Sequence, residues 1–139
     1  MLRRTLLAAP LALLAGPARA VEREEGADIG QYVDLQPLGL PIVANGKLVN
    51  YVFVYVRINL TSGANVSRLR EKEPFFRDAL VRAGHRTPFT LPKDLGAVDV
   101  PKLTAALTRE ASAIAGPGQI RSVVVTSQAP RRRARVPTA

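Results

Sequence analysis

The sequence predicts an α+β domain: a small sheet of about three or more strands with two helices against it, in the order β-β-α-α-β. Three observations lead there. Residues 48–60 place Val52, Val54, Val56, Ile58 and Leu60 at alternate positions, the period of two that a strand with a buried face requires. Residues 66–84 and 99–115 repeat apolar residues at helical spacing behind the capping residues Asn65 and Asp99. The chain has 139 residues, 47% of them apolar, enough for one domain with its own core.

Each element has a local reason. Tyr32-Val-Asp-Leu-Gln-Pro-Leu38 reads as a first strand, which Pro37 places at a sheet edge or ends, and Leu40-Pro-Ile-Val43 continues it. Asn45-Gly46 supplies the positive φ of a tight hairpin turn. The strand that follows is aliphatic on one face. Its other face opens with Tyr51, Phe53 and Tyr55 and turns polar at Arg57 and Asn59. A strand apolar on both faces needs cover twice, from its own helices or from a partner. Internal cover is the ordinary outcome; without it, Tyr51, Phe53 and Tyr55 are a candidate interface.

Asn65 caps a helix over 66–84, with Val66, Leu69, Phe76, Leu80 and Ala83 inward. Pro74 removes a backbone donor inside that pattern, so it kinks or splits the helix, and Gly84 ends it. Residues 85–98 contain Pro88, Pro92 and Gly96 and read as a loop. Asp99 caps the second helix, whose stripe is Leu103, Leu107, Ala111 and Ile114, and Gly116-Pro-Gly118 stops it. Gln119–Gln128 is the last strand, centred on Val123, Val124 and Val125.

The ends have a different character. Met1-Leu-Arg-Arg-Thr5 is a basic n-region, Leu6–Gly16 an apolar run too short for a bilayer, and Ala18-Arg19-Ala20 a small-x-small cleavage pattern. Residues 1–20 are thus expected to be a signal peptide cut between Ala20 and Val21, with an uncleaved short anchor as the alternative, which places the rest of the chain in the periplasm. Arg3-Arg4 leaves both the general secretory and the twin-arginine routes open. Residues 21–31 form an acidic, flexible lead-in with Glu22, Glu24, Glu25 and Asp28, residues 32–128 form the domain, and residues 129–139 a basic, disordered tail.

Charge follows the same division. The formal net charge is +9, from 20 basic and 11 acidic residues, but seven of the 20 lie near the termini, leaving 13 against 11 over residues 21–130. A nucleic-acid-binding fold carries its positive charge on a folded face, so no nucleic-acid partner is expected. Arg131, Arg132, Arg133 and Arg135 are instead candidates for contact with an anionic membrane surface.

Catalytic chemistry has little to draw on. The absence of Cys removes thiolate nucleophiles and Cys-ligated metals, and one His removes multi-His sites. His85 follows Gly84 beside Arg86 and reads as a solvated or capping residue; the pairs Asp94/Asp99 and Glu71/Glu73 read as ordinary solvated charge. No catalytic, cofactor or metal residue is assigned, and the chain is expected not to be an enzyme.

Tyr32-Val-Asp-Leu35, the strand through Val49–Leu60, Pro74-Phe-Phe-Arg-Asp-Ala-Leu80, and the closing series of a helix over Leu103–Ile114, a break at Gly116–Gly118 and Gln119-Ile-Arg-Ser-Val-Val-Val-Thr-Ser127 share an order with one known family. Residues 32–128 resemble the periplasmic domain of the flagellar basal-body-associated protein FliL family. The resemblance implies a small α+β domain similar to the stomatin fold, usually assembled into rings. It also implies a place beside the flagellar stator, where such proteins support motility by protein–protein contact and carry no cofactor. Its implied partners are stator or basal-body proteins, or further copies of the chain. Two features depart from the family: a cleavable signal replaces its uncleaved transmembrane helix, and the Arg-rich tail lies outside its pattern. A periplasmic binding module held to anionic envelope surfaces by that tail is the alternative expectation.

Overall fold

The computed structural model describes residues 30–132. Within them the leading strands are β1 (Tyr32–Asp34) and β2 (Leu38–Ala44), followed by β3 (Lys47–Leu60). The expected first strand is therefore two. Pro37 has no N–H to give to a ladder, and the amide of Gln36 turns away to donate to Glu73 Oε2 at 2.9 Å. Asn45 and Gly46 both take positive φ, as the tight turn from β2 into β3 requires.

β3 is the centre of the sheet. β1 and β2 pair antiparallel with it in tandem, Val33 opposite Ile58 and Leu40 opposite Val52. The last strand, β6 (Ile120–Pro130), pairs antiparallel along the opposite edge, from Val52 opposite Pro130 to Leu60 opposite Ile120. β6 continues through Ala129 and Pro130, two residues beyond the expected boundary of the tail.

Three helices supply the other layer. Asn65 caps α1 (Val66–Glu71) by accepting from the Arg68 amide. The chain breaks at Lys72, and α2 (Glu73–Arg86) begins with Pro74 in its first turn, where the missing N–H costs nothing. Pro74 thus splits the expected helix into two. Gly84 does not end α2, which runs on to Arg86. A Cβ at Gly84 would lie 2.8 Å from Leu40 Cδ2, so glycine lets α2 approach β2 closely. Asp99 caps α3 (Val100–Ala115) through the Lys102 amide, and Gly116 at φ +98° closes it.

The region expected to be a loop contains a small hairpin, β4 (Thr90–Leu91) and β5 (Asp94–Val98), so the order is β-β-β-α-α-β-β-α-β. Its support comes from elsewhere in the chain. Thr90 Oγ1 accepts from the Val43 amide, and Gln128 Oε1 accepts from the Val98 amide. With mixed helices and strands around one sheet, the architecture is α+β.

A single core joins the layers. Val52, Val54, Val56, Ile58 and Leu60 of β3 pack with Leu69, Phe76, Leu80, Leu103 and Leu107 from the helices, all of them buried. Ile114, assigned to the core stripe of α3, is only half-buried, and Ala115 is buried beside it. Each large aliphatic side chain in this set contributes roughly 1.5–3 kcal/mol by leaving water.

The register makes one pair of substitutions informative. Val54→Asp buries an unpaired carboxylate in the core and should cost several kcal/mol, of the order of the whole stability margin. Val124→Asp, on the opposite face and directly across from Arg57, should stay within about 0.5 kcal/mol. Urea melts of the two variants check this; similar losses would contradict the register.

Candidate functional site

The helices cover one face of the sheet. On the other, Phe53 and Tyr55 of β3 are 43% and 44% exposed, and Val124 of β6 is 41% exposed. Tyr51 is half-buried at the near end of the same row. Among the described residues, internal cover, the ordinary expectation, is absent, because they supply helices to one face alone. Part of the Phe53 surface is still taken up locally. Its ring lies over Gly39 on β2, where a built Cβ would meet Cε1 at 3.2 Å; a glycine across the ladder lets an aromatic ring lie flat.

At the far end the face becomes polar and neutral. Arg57 donates from Nε to Asp34 Oδ1 at 2.7 Å and from Nη2 to Asp34 Oδ2 at 3.1 Å. This two-pronged contact raises the guanidinium further above its already high range. The same guanidinium sits 3.8 Å from the Tyr32 ring centroid. Asn59 Nδ2 donates to Ser122 Oγ at 2.9 Å. The result is an apolar aromatic row flanked by a charge pair that neutralises itself.

A second surface lies at the end of the sheet where β3 begins. Asn50 is buried, and its amide group is fully used. Nδ2 donates to Leu95 O at 3.0 Å and Arg132 O at 2.9 Å, while Oδ1 accepts from the Tyr51 and Arg132 amides. The Arg131 amide donates to Tyr51 O at 2.8 Å. The first two arginines of the expected disordered tail are thus fastened by their backbones, their side chains exposed. The tail boundary therefore moves from Ala129 to beyond Arg132. Arg133 and Arg135 lie outside the described residues, as do Ala18, Ala20 and Val21 of the expected cleavage site. Nothing in the sequence marked Asn50 as a latch, because its partners are backbone groups of distant segments.

Four of the residues weighed for catalysis, His85, Asp94, Asp99 and Glu73, are engaged in the fold. His85 is exposed, and its Nδ1–H donates to Val81 O at 2.8 Å, one turn back in α2. Asp94 Oδ1 accepts from the Gly96 amide, Asp99 is the cap of α3, and Glu73 pairs with Arg77 while accepting from Gln36. Among the described residues no group of three or more His, Cys, Asp or Glu converges on a metal-sized site, and no helix is long and apolar enough to cross a membrane. No family model matches the chain, and no curated protein matches it in sequence.

Replacing Asn50 by Ala leaves four backbone groups without their partner. The expected loss is about 1–3 kcal/mol. Amide exchange at Arg132 should quicken while Lys102, capped by Asp99, keeps its protection; unchanged exchange at Arg132 would show that the latch does not hold the segment.

Proposed function

We propose that the chain is an exported, non-enzymatic protein of the FliL type. In this reading it acts in the periplasm, by protein–protein contact at the flagellar basal body beside the stator. Its support in the sequence is the order of elements over residues 32–128 shared with that family. The observation that carries it is the sheet face left without helices, where Tyr51, Phe53 and Tyr55 lie in a row beside Val124. Exposed aromatics in a contiguous patch are what a contact surface needs and what a free monomer avoids.

The occupant of that face in this proposal is a second copy of the chain. Charge is the argument: along the Phe53–Tyr55 part of this face Arg57 is already matched by Asp34, so two copies that meet there, offset from Arg131 beside Tyr51, do so without setting like charges against one another. The engagement of His85, Asp94, Asp99 and Glu73 in local hydrogen bonds supports a role that does no chemistry.

Two experiments test the proposal. In a deletion strain swimming should be impaired, and the tagged protein should concentrate at flagellar bases; normal motility with a diffuse envelope signal would remove the flagellar role. Phe53→Ser should lower the oligomer size measured by light scattering while circular dichroism stays that of the wild type. A wild-type protein that is monomeric at high concentration would exclude self-contact through this face.

A further inference from the structure

The end of the sheet held by Asn50 brings together residues that are far apart in the chain. Lys47 and Leu48 open β3, and the register that sets Pro130 opposite Val52 carries Arg131 and Arg132 alongside Tyr51 and Asn50. β5 runs from Leu95, bonded to Asn50, to Val98, bonded to Gln128. The Pro92-Lys93 turn ahead of it therefore projects at the same end. Arg131 and Arg132 share one recess with Leu48, and Lys47 and Lys93 bring the cations at this end of the sheet to four. That leucine is 54% exposed.

The charge here is uncompensated. The ion pairs of the domain join Arg57, Arg77 and Arg82 to carboxylates, and among the described residues none involves these four cations. The nearby acid, Asp94, is turned to the Gly96 amide. In the sequence Arg133 and Arg135 follow directly.

We propose that this end of the domain docks on an anionic lipid surface, with Leu48 entering the headgroup layer and the surrounding cations meeting lipid phosphates. The inference does not depend on the aromatic face. Three features favour a lipid surface over an acidic protein. The recess between Leu48, Tyr51, Arg131 and Arg132 is small, about 130 Å³, and open, so it offers no deep pocket for the buried side-chain anchors on which protein interfaces depend. The cations are long, exposed side chains without fixed geometry, suited to mobile headgroups. An exposed leucine beside clustered positive charge combines the apolar and cationic parts of an interfacial anchor. The arrangement is more than a charged tail, since Asn50 fastens the backbone of Arg132 and Tyr51 that of Arg131 beside the leucine.

The test is vesicle flotation of the mature chain, with phosphatidylcholine alone and with added phosphatidylglycerol. Binding should require phosphatidylglycerol and fade as salt rises, because the attraction of each cation falls off within a Debye length. Arg131→Gln and Arg132→Gln should each weaken binding about fivefold, the equivalent of roughly 1 kcal/mol per cation at the surface. Leu48→Ser should weaken it about tenfold without changing the melting temperature, since the side chain is exposed in the free protein. Arg131→Lys and Arg132→Lys should bind as the wild type does. Full binding by Leu48→Ser would reduce the contact to charge alone and overturn the proposal. So would retention on immobilised polyglutamate with no vesicle binding at low salt, which would assign this end to an acidic protein. Phe53→Ser should float with vesicles as the wild type does, so failure here and failure of self-contact at the aromatic face are read separately.

Discussion

The structure depends on β3. Every strand of the main sheet is hydrogen-bonded to it, β1 and β2 sharing one edge and β6 taking the other. Fourteen residues long, it is also the strand whose alternate side chains from Val52 to Leu60 are all aliphatic and buried. Both edges and one face of β3 are satisfied among the described residues. The remaining face is not, because α1, α2 and α3 are all committed to the core side. A three-helix layer on one side of the sheet leaves the other side uncovered by any of the described elements. The exposed row of Phe53, Tyr55 and Val124 is thus a consequence of topology, not of an isolated surface residue.

What could be read in advance followed how local each cause was. The alternation in 52–60, the caps Asn65 and Asp99, the Asn45-Gly46 turn and the break at Pro74 are written in neighbouring residues, and each appears in the fold. Elements resting on distant partners were not legible. The β4–β5 hairpin has only short ladders of its own, and its side-chain bonds to the Val43 amide and from Gln128 join segments 30 and 47 positions apart. Gly84 carried a helix-stop signal by composition, yet its reason is the Leu40 side chain against α2. The aromatic row at 51–55 was visible as a candidate, but whether helices would cover it depended on where three separate segments packed.

The tail shows the same limit in another form. Pro130 and a run of arginine suggest a chain leaving the fold, since proline cannot donate to a ladder. At the last residue of β6, however, the ladder needs no donor from position 130, and the register continues to Arg131 and Arg132 through Tyr51 and Asn50. A buried asparagine is costly unless both its donors and its acceptor are used. Here they bind backbone from β5 and from the segment after β6, so the cost is offset by fixing three elements at one corner. Composition reported the charge of the tail. It could not report where that charge is held.

The two surfaces obey different physics, and this separates their consequences. Around Phe53 and Tyr55 the charge is cancelled by the Asp34–Arg57 pair, so contact proposed there would be driven by apolar burial, which excluded salts such as sulfate strengthen. At the Leu48 corner the cations have no ion-pair partner among the described residues, so contact there is driven largely by Coulomb attraction, which salt screens. Raising ionic strength therefore moves the two interactions in opposite directions. A chain that used both would be held at an anionic surface at low salt and favour self-contact at high salt. The two surfaces meet at Tyr51, which lines the recess beside Leu48, while Phe53 and Tyr55 lie further along β3. Docking by the corner consequently leaves Phe53 and Tyr55 open, and a copy held at a surface still presents that part of the face to a neighbour.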